Sequence, residues 1–194
     1  MKKFVIVVDA QNDFMLNTGA LSVPQADTVI TKINDYLKTL KVKKTAGVLF
    51  TFDTHDLSTY PGSKESEQFP PHCLKGHTGW NLAVDPRSVS PSIPVWKLEK
   101  NVFDMWEEKS SFIRGVLTDY DRDYFFNQML KEQKIKEVEV VGVAADYCVK
   151  FAIQGLVDRN YMVRIPSSDL TKGISRSIGQ VVREDFANNH VVVG

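Results

Sequence analysis

The feature that most constrains this chain is an alternation of short apolar runs, which read as buried strands, with stretches whose apolar residues recur at helical spacing. The runs are FVIVVD (Phe4 to Asp9), AGVLFTFD (Ala46 to Asp53), IPVWKLEK (Ile93 to Lys100), EVEVVGV (Glu137 to Val143), MVRIP (Met162 to Pro166) and the terminal HVVV. Between them, Val29, Ile30, Ile33, Leu37 and Leu40 mark a helix from Ala26 to Leu40, after Pro24. Tyr124, Phe125, Met129 and Leu130 mark a second helix. Val149, Ile153, Leu156 and Val157 mark a third, with Asp146 as its N-cap, and Ser175 to Phe186 a fourth. This order predicts an α/β protein with six strands in a largely parallel sheet.

A length of 194 residues suits one domain, taken as 1–194, with no internal repeat or linker. Lys plus Arg and Asp plus Glu both number 24, so composition offers no electrostatic case for nucleic acid or an anionic membrane as partner. The apolar run after Met1-Lys2-Lys3 is five residues long, too short for a secretory core or a bilayer span. Cys73 and Cys148 have no spacing that suggests a disulfide framework or zinc ribbon, so a cytoplasmic, thiol-reduced protein is expected.

Polar residues fall where the apolar runs end: Asp9, Asp53 and Lys100, with Cys148 just after the fourth run. Ligands of open parallel sheets bind at the carboxyl edge of the strands. The topology therefore gathers Asp9, Lys100 and Cys148 along one edge. Each alone reads blandly, as a turn residue, a solvated lysine and a small buried hydrophobe; their joint placement carries the functional reading. In the first turn of a helix, Cys148 meets N–H groups and a dipole that favour a thiolate and could hold a negatively charged oxygen. A nearby Lys100 would lower the thiol pKa further, and Asp9 could accept and return the proton.

A second constellation comprises Asp53, His55, Glu65 and His72, the last after Phe69-Pro70-Pro71. Carboxylates and imidazoles suit zinc, manganese or iron. Spacing alone leaves this metal reading level with one of surface loop histidines. His77 and His190 read as lying outside any site. The Leu57–Pro91 stretch is mostly loop, and loops of that size in compact domains are more often functional than accidental.

Three ordered segments resemble the isochorismatase-like cysteine hydrolases, nicotinamidases in particular. Asp9-Ala10-Gln11-Asn12-Asp13-Phe14 is similar to that family's D-x-Q-N-D-F opening. Lys100 to Trp106 resembles its K-x-x-x-[SD]-x-F segment, with Trp106 for the usual Phe. Gly142 to Val149 resembles its G-[VI]-A-T-D-x-C-V nucleophile turn, with Ala145 for Thr. The resemblance implies a three-layer αβα sandwich with Cys148 as nucleophile, Asp9 as general acid/base and Lys100 as their charge partner. It also implies a cis Val143–Ala144 peptide, with an oxyanion hole from the N–H groups of Ala144 and Cys148.

The same resemblance implies one divalent metal, zinc before manganese or iron, on Asp53, His55, Glu65 and His72. Phe14, Leu21, Phe69 and Phe103 become walls for an aromatic amide, Phe103 standing where some members have Tyr. The implied reaction is hydrolysis of nicotinamide to nicotinate and ammonia through a thioester, within NAD salvage. The alternative is another amidase or carbamoyl hydrolase using the same triad. Self-association is left open. The segment between Trp106 and Asp121 departs from the family pattern and is expected to cap the pocket or meet another subunit.

Overall fold

The computed structural model describes residues 1–108, 111–187 and 190–194. Strand β1 (Lys3–Val8) organises it. Alternate side chains leave a strand on opposite faces, so Phe4, Ile6 and Val8 enter one apolar core while Val5 and Val7 enter the other. A strand buried on both faces needs a layer on each side. Helices α1 (Asn12–Met15) and α2 (Asp27–Thr39) cover the Val5 face, α2 through Val29, Ile33 and Leu37.

The Phe4 face is covered by a helical stretch and two helices. The stretch is α3 (Arg122–Tyr124), a π turn (Phe125–Met129) and α4 (Leu130–Glu132) in succession; the helices are α5 (Cys148–Asp158) and α6 (Ile178–Asp185). The result is the expected αβα sandwich.

The other strands are β2 (Thr45–Asp53), β3 (Val95–Lys100), β4 (Phe112–Arg114), β5 (Asp119–Asp121), β6 (Glu137–Val143), β7 (Met162–Ile165), β8 (Thr171–Lys172) and β9 (Val191–Val193). Their order is β5-β4-β3-β2-β1-β6-β7-β9, with β8 paired to β6. The six expected strands form the parallel core β3-β2-β1-β6-β7-β9. Among the described residues there are nine strands rather than six, because β4 and β5 add an antiparallel hairpin and β8 a two-residue pairing.

For Phe112 to Asp121, that hairpin corrects the expectation of a pocket cap. Lys97 pairs with Arg114 and Leu98 with Ile113 in antiparallel register, so the turn after β4 runs toward the start of β3, away from Lys100 at its end. The segment widens the sheet at its edge. Lys109 and Ser110, also part of that expectation, lie outside the described residues. The fourth helix is shorter than predicted: Ser177 caps it, its hydroxyl accepting from the Gln180 N–H in a capping box, so Ser175 and Arg176 stay in the loop.

Gly142 shows how tightly β6 meets β1. Its φ is +114°, and a Cβ there would lie 2.1 Å from the Val8 carbonyl oxygen. Only glycine fits at this first position of the cysteine turn.

Candidate active site

Asp9 leaves β1 at φ +44° and is fixed from the neighbouring strand. Thr51 of β2 donates to Asp9 Oδ1 at 2.5 Å and accepts from the Asp9 N–H at 3.1 Å. Lys100 is the last residue of β3 and Cys148 the first of α5. Lys100 Nζ lies 2.8 Å from Asp9 Oδ2 and 3.7 Å from Cys148 Sγ, so the three residues expected to share one sheet edge do so. All three are buried. Asp9 Oδ2 meets the lysine charge but has no aligned hydrogen-bond donor among the described residues.

The electrostatics qualify the expectation of a lowered thiol pKa. Burial pushes the Cys148 thiol well above its ordinary value; Lys100 pulls it down, while Asp9 and Asp53 push it up again. Burial thus opposes the thiolate, and its formation calls for a base to take the proton. Lys100 stays charged: burial disfavours the ammonium, but Asp53, Asp9 and Cys148 hold its pKa well above the ordinary lysine range.

The peptide between Val143 and Ala144 is cis, as the resemblance implied. The N–H groups of Ala144 and Cys148 make no hydrogen bond among the described residues, so both are unspent where the resemblance places an oxyanion hole. Asp146 does not cap α5, contrary to expectation. Its carboxylate accepts from the N–H groups of Ile174, Ser175 and Arg176 at 2.8, 2.7 and 3.0 Å, and three loop donors outcompete one helix end. Tyr147 takes the cap position with no side-chain bond.

Asp53, His55, Glu65 and His72 converge, with one ligand atom from each lying within 4.8 Å of the others. The loop histidines His55 and His72 are buried, not surface residues. Asp53 Oδ2 is 3.2 Å from His55 Nε2 and 3.0 Å from His72 Nε2; Glu65 Oε2 is 3.0 and 3.4 Å from the same two nitrogens. The Nδ1 of His72 is 2.8 Å from the Pro70 carbonyl, which fixes the ring and leaves Nε2 facing the cluster.

A metal fits this donor set on a structural ground. Glu65 is 2% exposed, and neither of its oxygens has an aligned hydrogen-bond donor among the described residues. A buried carboxylate in that condition is costly unless a cation meets it. Burial raises the carboxyl pKa of Asp53, but Lys100 and the two histidines override it and hold the group well below the usual carboxylate range. Lys100 Nζ lies 3.4 Å from Asp53 Oδ1, so the cluster and the Asp9–Cys148 pair share one cation.

The expected wall residues divide into two groups. Phe14 is buried with its ring 5.4 Å from that of His72, and Leu21 packs into the same core. Phe69 and Phe103 lie 5.5 Å apart, and both pack edge-on against Tyr147, at 5.6 and 5.5 Å. Sequence reasoning missed Tyr147, although it directly precedes Cys148. It also missed Thr51 and Gln11. The Gln11 amide donates to the Asp53 carbonyl at 2.8 Å and accepts from the Asp53 N–H at 2.8 Å, fixing the end of β2. His77 and His190 are exposed and outside the cluster, as expected.

This fold agrees with the comparisons to known proteins. The isochorismatase domain model matches residues 3–178, and the chain belongs to that family of hydrolases. A nicotinamidase of Saccharomyces cerevisiae is 28% identical over 98% of this chain and 99% of its own. A nicotinamidase/pyrazinamidase of Mycobacterium tuberculosis is 29% identical over 88% of this chain and 87% of its own. The crystal structure of a Pyrococcus horikoshii pyrazinamidase in complex with zinc superposes with a TM-score of 0.75 at 24% identity, covering 100% of this chain and 99% of that one.

Proposed function

We propose that this single domain is a nicotinamidase, a metal-dependent cysteine amidohydrolase that converts nicotinamide and water to nicotinate and ammonia. The observation that carries the reading is Lys100, whose ammonium touches Asp9, Cys148 and Asp53 together and so joins a nucleophile to a metal-type cluster. The nicotinamidases among its relatives support the substrate, and the zinc complex of the pyrazinamidase supports the metal. The reading puts the enzyme in NAD salvage and in the cytoplasm; no described helix is long and apolar enough to cross a membrane.

Asp53, His55, Glu65 and His72 would hold the divalent ion, zinc before manganese or iron, which when bound supplies a Lewis acid for a pyridine nitrogen. Phe14, Leu21, Phe69 and Phe103 flank the ring. Asp9 Oδ2 takes the thiol proton, and Cys148 Sγ attacks the carboxamide carbon. The Ala144 and Cys148 N–H groups receive the resulting oxyanion. Collapse breaks the C–N bond, and the amine leaves as ammonia with the proton that Asp9 held. Asp9 then removes a proton from water, which attacks the thioester; nicotinate departs and Cys148 regains its proton. Throughout, Lys100 balances the charge that passes between Asp9 and Cys148.

The test is ammonia release from nicotinamide by purified protein, with and without prior chelation. Release that chelation removes and added metal restores is expected. No release from folded, metal-loaded protein would overturn the substrate and turn the search to carbamoyl compounds and other amides.

A further inference from the structure

The end of the sheet away from the proposed active site carries a cavity of about 450 Å³. It lies where β1, β2 and β6 begin, whereas Asp9, Asp53 and Cys148 lie at or beyond their ends. At roughly 3.3 Å per residue, the six residues of β1 separate the two by about 20 Å. Nothing in the proposed reaction uses this cavity.

Five lysines line it: Lys2, Lys3, Lys41, Lys44 and Lys136. Of these five, only Lys3 is ion-paired among the described residues, to Glu139 Oε2 at 2.5 Å. Glu139 also accepts from the Tyr36 hydroxyl, so its charge is already engaged. Glu137, the other carboxylate of the lining, lies 3.6 Å from Arg164. Four lysines without a carboxylate partner among the described residues thus line one concavity. The formal net charge of zero conceals this segregation.

The second observation is independent of charge. Thr45 lines the cavity at the first position of β2 and is 1% exposed, yet its hydroxyl has no hydrogen-bond partner among the described residues. A buried hydroxyl without a partner costs free energy that a ligand oxygen would recover. Unpaired lysines around such a donor form a receptor for an anion rich in acceptor oxygens.

We propose that this cavity binds a small phosphorylated anion, held by the lysines Lys2, Lys41, Lys44 and Lys136 and by the Thr45 hydroxyl. Its volume, within the usual range of small-molecule sites, admits a nucleotide as well as a free phosphate or pyrophosphate. The site is separate from the amide-hydrolysing centre, so its occupant does not compete with the amide substrate.

Titration calorimetry of the full chain at low salt tests this, with pyrophosphate and adenosine 5′-monophosphate as probes and sulfate as competitor. Saturable one-site binding of at least one probe is expected, and the tighter probe distinguishes a nucleotide from an inorganic source. The double variant Lys44→Gln/Lys136→Gln should weaken it at least tenfold, and Thr45→Val, which keeps the shape, about fivefold. Unchanged melting temperature of each variant serves as the folding control. Binding should persist with the amide substrate saturating. The proposal is overturned if neither probe binds at millimolar concentration, if both variants bind as wild type does, or if sulfate displaces the probe with equal affinity and Thr45→Val changes nothing.

Discussion

Lys100 Nζ stands 3.4 Å from Asp53 Oδ1, both groups buried, so a residue of the metal-type cluster is charge-balanced by the same lysine that balances Asp9. Replacing that cation leaves two buried carboxylates without their common partner. Lys100→Met should cost about 3–5 kcal/mol in urea unfolding, the usual penalty for breaking a buried ion pair from one side. The same variant should lose amidase turnover. A stability within 1 kcal/mol of wild type, on the scale of an ordinary surface substitution, would show that the lysine does not hold this network.

Cys148→Ala should abolish ammonia release, by on the order of 10⁴-fold or more, as removal of a covalent nucleophile does elsewhere. Cys148 is small and lies on the first turn of α5, so its loss should leave melting temperature and bound metal near their wild-type values. Residual turnover within a hundredfold of wild type in a metal-loaded sample would end the nucleophile assignment.

The histidines make a prediction about protons. Burial opposes their ionisation, but the adjacent Asp53 and Glu65 carboxylates outweigh it and raise the pKa of His55 to about 9 and of His72 to about 10. In metal-free protein this pairing stabilises the fold fully below pH 6.5, the unperturbed value, and the benefit is lost as pH rises through 9 to 10. A metal needs both imidazoles neutral. Its uptake at pH 7.5 should therefore release close to two protons, and its affinity should rise with pH until those values are passed. Calorimetry in two buffers of different ionisation enthalpy measures the release. A count near zero would place the metal on other ligands.

What the sequence disclosed, and what it hid, follows from local chemistry. The six core strands were legible because residues such as Val5 and Ile6 are buried whichever face they take. The β4–β5 hairpin was not, since its strands are three residues long and Phe112 and Val116 point to solvent, leaving no alternation to read. Asp146 misled because an aspartate just before a helix caps it or clamps a neighbouring loop with the same side chain, and only the approach of residues 174–176 decides. Thr51 passed as an ordinary β-former; its hydroxyl acquires meaning only when β1 lies alongside and presents Asp9. The convergence of Glu65 with His72 depends on how a long loop returns to β2, which spacing does not encode.

Two glycines separate backbone constraint from mere smallness. At Gly142, φ is +114° and an added Cβ would meet the Val8 carbonyl at 2.1 Å; at Gly62, an added Cβ would meet nothing within 4 Å. Gly142→Ala therefore combines an unfavourable conformation with a clash between two backbones, neither of which has a flexible tip to move. It should destabilise the fold by about 3 kcal/mol or more, whereas Gly62→Ala should stay within about 0.5 kcal/mol of wild type. Because Val8 precedes Asp9 and Gly142 opens the cysteine turn, any Gly142→Ala protein that still folds should also lose turnover by displacing the two elements relative to each other. Equal unfolding midpoints and equal turnover for the two variants would show that β1 and β6 tolerate separation at this point.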